Sequence, residues 1–154
     1  EVVAVTGRPE THEFLSDLGA ARFVDRETMS ASARPLESQL WAGAVDAVGS
    51  TTLARVLAET SRDGTVAACG LAGGIDLPAT VMPFILRGIR LQGIDSVQTP
   101  MSRRREAWAR LGRDLSLEKL DQLTSEVPLS AIVEHAGNIL AGRVRGRTVV
   151  NVNR

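Results

Sequence analysis

The chain has 154 residues, 44% of them apolar, which is enough to bury one respectable core but short for two full domains. Eighteen basic residues balance 18 acidic ones along the whole length, so no broad basic face is available to nucleic acid or to an anionic membrane. A single cysteine, Cys69, excludes an internal disulfide, and with only two histidines too few ligands remain for a structural zinc site.

Glu1 opens directly into the β-branched run EVVAV with no lead-in, which predicts a piece of a larger protein. Val2 to Val5 reads as a buried strand. Pro9 then suits a first helical position, Phe14, Leu15 and Leu18 share one face, and Gly19 stops the helix. A short strand follows around Arg22 to Val24. After a polar stretch containing Pro35, Ala44 to Val48 reads as a third strand and Thr51 to Arg62 as a helix with Leu53, Val56 and Leu57 in one stripe. Asp63-Gly64 reads as a turn, Thr65 to Cys69 as a fourth strand, Pro78 to Arg87 as a helix, and Leu91 to Asp95 as a fifth strand.

Beyond Pro100 the texture becomes helical. One helix is expected to turn Ala107, Trp108 and Leu111 inward, and another, from Ser130, to bury Ile132, Val133, Ala136 and Leu140. Arg103, Arg104 and Arg105 read as a solvated helix face. A last β-like run covers Thr148 to Val152. No stretch approaches the roughly 18 apolar residues of a membrane span, and the N-terminal residues lack the layout of a signal peptide. A soluble, cytoplasmic protein is expected.

The alternation of short apolar runs with helical segments is the pattern of a parallel sheet covered by helices. EVVAVTGRPETHEFLSDLGA has the layout of the second strand of a dinucleotide-binding fold and its following helix, and in NAD-specific folds an acidic residue at the end of that strand accepts hydrogen bonds from the ribose 2'-hydroxyl. Here Thr6, Gly7 and Arg8 occupy that place. Without a carboxylate to repel it, a 2'-phosphate could be held by the guanidinium fork of Arg8, which favours NADPH; an ordinary turn with a surface arginine is the competing reading.

CGLAGG, Cys69 to Gly74, lacks the spacing of a pyrophosphate-binding Gly-x-Gly-x-x-Gly and does not follow the first strand. It reads instead as a later strand-end loop along a cofactor cleft. Asp95-Ser96 is either a cofactor contact or a strand-ending turn. Cys69 reads as a packed strand residue, and His12 and His135 as helix-surface residues, so no catalytic residue and no metal ligand is assigned.

The stretches VVAVTGRPETHEFLSDLGA, RPLESQLWAGAVDAVGS, VAACGLAGGIDLPATVMPFILRGIRLQGIDSV and GRTVV resemble the medium-chain dehydrogenase/reductase superfamily. The similarity is to its zinc-lacking, quinone-oxidoreductase-like branch, and most closely to the NADPH-dependent acryloyl-CoA reductases. The resemblance implies a Rossmann-type, doubly wound parallel sheet that lacks its first strand and glycine-rich loop, over residues 1–115. Residues 116–154, including Gly146 and Arg147, would then be a helical and strand tail returning to a GroES-like substrate domain in an N-terminal half outside this chain.

It further implies that Thr6, Gly7, Arg8 and Arg26 hold the 2'-phosphate end of NADPH, and that Leu71 and Ser96 lie near its nicotinamide half. The implied reaction is conjugate reduction of an acryloyl thioester, with hydride from NADPH added at the β-carbon and a proton at the α-carbon. A homodimer joined at the fifth strand is implied as well. Reduction of a quinone, or a non-catalytic nucleotide-binding module, stands as the alternative. If Val2 to Val5 is the second strand of the order 3-2-1-4-5-6, the first strand is missing from the middle of the sheet, and two facing edges are left to be covered by further protein or by another copy.

Overall fold

A computed structural model describes all 154 residues, Glu1–Arg154, as two compact units, Glu1–Thr99 and Pro100–Arg154. In the first, β1 (Val3–Thr6) pairs in parallel with β2 (Arg22–Asp25), Val3 opposite Arg22 and Thr6 opposite Asp25. A 3-10 turn at Pro9–Thr11, begun by a proline whose missing N–H costs nothing there, leads into α1 (His12–Leu18). Gly19 stops α1 at φ 115°, where its N–H reaches the carbonyls of Leu15 and Ser16. His12 is no mere surface residue: it stacks on Phe23 with ring centroids 4.0 Å apart and planes 5° from parallel, joining α1 to β2.

Asp25 ends β2 and caps α2 (Arg26–Ser30), its carboxylate accepting the Glu27 N–H at 2.7 Å. The sequence reading missed this helix, although an aspartate followed by a glutamate two residues on is a capping signal. Through it Met29, 2% exposed, enters the core.

The larger sheet orders β3 (Trp41–Asp46), β4 (Thr60–Ala68) and β5 (Arg90–Gly93) side by side, all parallel. The third strand thus lies earlier than expected, because Asp46 turns the chain. The Asp63-Gly64 turn survives as an excursion inside β4, where the pairing with β3 jumps from Thr60 to Thr65 and Asp63 takes φ 61°. Between β3 and β4 runs α3 (Ser50–Glu59), whose Leu53, Val56 and Leu57 meet Met29, Val66 and Ile89 in the one buried cluster. Fully burying a side chain such as Leu57 or Val66 contributes about 1.5–3 kcal/mol. Glu59 is buried too, and its carboxylate is satisfied by Arg55 at 3.0 Å and by the Trp41 indole N–H at 2.8 Å.

The next helix, α4 (Met82–Arg87), is shorter than expected because Pro83 fits only its first turn. Arg87 donates from α4 to the carbonyls of Glu37, Ala58 and Thr60, drawing the 31–40 segment against α3. β5 stops at Gly93, short of the expected Asp95.

Within this unit β1 has a partner only in β2, and β3 only in β4. Residues of both unpaired edges, Val3 and Val5 on one side and Trp41 to Asp46 on the other, line a cleft of about 1000 Å³. The parallel order is therefore β2-β1, an open place, then β3-β4-β5, as the strand order inferred from sequence requires.

The second unit holds α5 (Met101–Asp114), α6 (Leu117–Leu123), β6 (Thr124–Pro128), α7 (Ile132–Leu140) and β7 (Arg147–Asn151), with β6 and β7 parallel. The sequence reading missed α6 and β6. It also expected buried stripes that this chain does not bury: Trp108 is 67% exposed, Val133 82% and Leu140 90%, and Ala107, Leu111, Ile132 and Ala136 are exposed as well. Periodicity tells which face of a helix is apolar, not what covers it. His135 is half-buried, its Nε2 2.8 Å from the Thr148 hydroxyl, and so bridges α7 to β7 rather than facing solvent.

Candidate cofactor cleft

Parallel α/β sheets bind ligands beyond the C-terminal ends of their strands. Four of the six residues assigned from sequence come together there. Thr6 closes β1 with its hydroxyl accepting the Arg8 N–H at 3.1 Å, which shapes the turn, and Arg26 opens α2 directly after β2. Between them lies Gly7: a Cβ at that position would stand 3.4 Å from the Arg26 Cβ and 3.7 Å from its Nε. The glycine keeps the ground in front of the guanidinium clear. Asp25 is turned to its own helix cap and Arg26 lines the cleft.

Leu71 and Ser96 lie apart from that cluster, after β4 and β5. The CGLAGG loop interlocks with the turn that follows β3. Ala72 and Gly73 donate their N–H groups to the carbonyls of Ala47 and Val48, at 3.3 and 2.7 Å. A Cβ on Gly70 would come within 2.6 Å of the Ala47 carbonyl oxygen, and one on Gly73 within 2.9 Å of Val48 Cγ1. Close approach to the turn after β3, backbone at Gly70 and the Val48 side chain at Gly73, accounts for these glycines. Leu71 is carried on this loop, 63% exposed. Ser96 sits in a turn closed by the Asp95 carboxylate, which accepts from Val97 and Gln98 at 2.9 Å each.

Sequence reasoning overlooked Asp46. Its side chain is 5% exposed at the end of β3, borders the open place between β1 and β3, and accepts the Gly49 N–H at 2.8 Å. An aspartate ending an apolar strand three residues before a glycine was the available signal. Cys69 is more exposed than a packed strand residue; it begins the loop, and its thiol and N–H both point to the Asp46 carbonyl.

The turns after β1 and β2, which bring Thr6, Gly7, Arg8 and Arg26 together, and the two interlocked loops after β3 and β4 define an open parallel α/β architecture, a class of fold that takes its ligands at this edge. Residues 1–113 match the family described as zinc-binding dehydrogenase, and the chain belongs to that family. It is 54% identical, over 99% of its length, to the probable acrylyl-CoA reductase AcuI of Escherichia coli (strain K12), of which it covers 47%.

The crystal structure of the yhdH oxidoreductase from Salmonella enterica in complex with NADP matches with a TM-score of 0.95 and 53% identity, over 99% of this chain and 47% of that one. Bacillus subtilis yhfP with NAD bound matches with a TM-score of 0.93 and 42% identity, over the same shares. The chain thus spans about half the length of the relatives it matches, and its fold is that of the C-terminal half of medium-chain oxidoreductases. No three His, Cys, Asp or Glu side chains of this chain converge to hold a metal ion, so these residues do not fit the zinc of the family's description. No helix is long and apolar enough to cross a membrane.

Proposed function

We propose that this chain is the NADPH-holding part of a zinc-independent enzyme that reduces the C=C bond of acryloyl-CoA or a similar enoyl thioester. The observation that carries the reading is the 2'-phosphate corner: Arg26 stands over the space left by Gly7, Arg8 is fixed by Thr6, and no carboxylate closes β1. Two guanidinium groups there would receive a dianionic phosphate, and Leu71 and Ser96 would border the nicotinamide half. NADPH, when bound, supplies the hydride. This chain's part is to orient the dinucleotide along the strand ends and to leave the proton and the thioester to the other half.

In that reading the open place between β1 and β3 receives a strand from the other half, followed by the glycine-rich turn for the pyrophosphate. Residues 1–115 complete a Rossmann domain with it, and residues 116–154 run back towards the substrate domain, with Gly146 and Arg147 at the return. The free outer edge of β5, flanked by the exposed Ile85, Ile94 and Val97, joins two copies in a cytoplasmic homodimer.

A quinone as substrate is favoured by one observation: the 42% identical Bacillus subtilis relative is named a putative quinone oxidoreductase. The deciding experiment uses the full-length protein. Acryloyl-CoA is expected to drive NADPH oxidation, and Arg8→Ala to raise the Michaelis constant for NADPH by about 10–100-fold while leaving that for NADH nearly unchanged, the worth of one charge-assisted bond to phosphate. Turnover of quinones without acryloyl-CoA would replace the substrate, and equal effects on the two dinucleotides would remove the phosphate corner.

A further inference from the structure

We propose that Asp46 is a positioning residue for the cofactor cleft: by bonding Gly49 with its carboxylate and Cys69 with its carbonyl, it locks the two strand-end loops into one unit and fixes where Leu71 stands. The inference rests on the reading of the cleft as a dinucleotide site.

The turn from Asp46 to Ser50 is strained. Gly49 has φ 74° and Ser50, which is not a glycine, has φ 50°. Such a conformation persists only where the surroundings over-determine it. Here the determinant is the Asp46 carboxylate, 5% exposed and 2.8 Å from the Gly49 nitrogen, a charge-assisted bond in a buried setting. The turn in turn carries the second loop. The Asp46 carbonyl accepts the Cys69 N–H at 2.8 Å and its thiol at 3.3 Å, Ala47 and Val48 accept from Ala72 and Gly73, and a Cβ on Gly49 would strike the Gly74 carbonyl oxygen at 2.7 Å. The 70–74 loop is bonded to this turn through the Ala47 and Val48 carbonyls, so a turn that shifts when Gly49 is released carries the loop with it. With its carboxylate turned to Gly49, Asp46 acts through the loop that carries Leu71.

In the full-length protein, Asp46→Ala is expected to weaken NADPH binding about tenfold or more, the worth of one lost charge-assisted bond, measured as a dissociation constant well below the melting temperature. Asp46→Asn, whose side-chain oxygen still accepts from Gly49, is expected to restore affinity to within about threefold. Gly73→Ala displaces the loop without touching Asp46, since its Cβ would press on the Val48 side chain at 2.9 Å and on the Val48 carbonyl oxygen at 3.3 Å. It should weaken NADPH severalfold with little change in melting temperature, and it keeps the test valid if the alanine variant does not fold.

Unchanged NADPH affinity in Gly73→Ala, an Asp46→Ala variant that melts earlier but binds normally, or an asparagine variant that binds no better than alanine would each overturn the role. If Arg8→Ala still shifts the preference between NADPH and NADH in those circumstances, the dinucleotide reading stands and only this inference falls. If none of these variants affects NADPH, the dinucleotide reading falls as well.

Discussion

Glu1–Thr99 and Pro100–Arg154 differ in what their apolar residues do. Every fully buried apolar side chain belongs to the first unit, gathered where α3 crosses β4, whereas none of the three helices of the second buries a residue. Yet α7 has as clear an apolar face as α3. The same helical pattern thus produces a core in one place and an uncovered face in the other, and the difference lies in whether this chain supplies the opposing layer.

That contrast can be pressed from both ends. Leu57 is 0% exposed at the centre of the first unit, and Leu57→Ala is expected to cost about 2–5 kcal/mol in urea unfolding, the range for a leucine cavity. A cost within that of a surface site would mean the cluster is not the core. A smaller and pH-dependent effect belongs to the clasp that ties the 31–40 segment to α3, where Glu37 donates its N–H to Ala58 and lends its carbonyl to Arg87.

The Arg34 guanidinium, bonded to the Glu37 carboxylate at 2.6 Å with its own N–H added at 3.0 Å, holds that carboxyl at about 2 against an ordinary 4.5. A pKa depressed on folding means stability that is fully present above the ordinary value and lost as the pH falls towards 2. Melting temperatures of the native chain and Glu37→Gln should therefore differ near neutrality and converge on acidification; a constant gap would remove the ion pair from the account. The smallest effect is expected at the other end of the contrast. Leu140, 90% exposed, should tolerate alanine within about 0.5 kcal/mol in this chain, and a larger loss would show that the second unit buries its helix after all.

Much of the first unit was legible because its rules are local. Gly19 and Pro9 bound a helix by backbone chemistry alone, and Leu53, Val56 and Leu57 mark the face of α3 that the structure buries. The short helix α2 escaped notice because its five residues hold too little periodicity, leaving only the Asp25 cap to announce it. β6 escaped because Thr124 to Pro128 alternates weakly and is exposed nearly throughout. At the cleft, Thr6, Gly7 and Arg8 could be proposed from charge, but their convergence with Arg26 depends on the parallel pairing of β1 with β2. The reason for Gly70 and Gly73 lay beyond sequence altogether, since it is the approach of the turn at Ala47 and Val48, which only the parallel pairing of β3 with β4 brings alongside.

The open place between β1 and β3 also separates the order of folding from the order of the sequence. β1 with β2, and β3 with β4 and β5, are each closed by a connection of one helix or loop, so each pairing is short in range and can form early. If the two sheets are joined by a strand from another part of the protein, as proposed above, that step carries the cost of closing a longer loop. In the proposed reading, the first unit would form as two quickly paired sheets joined in a slower step, with Arg8 and Arg26 after β1 and β2 on one side of the divide and the paired loops after β3 and β4 on the other.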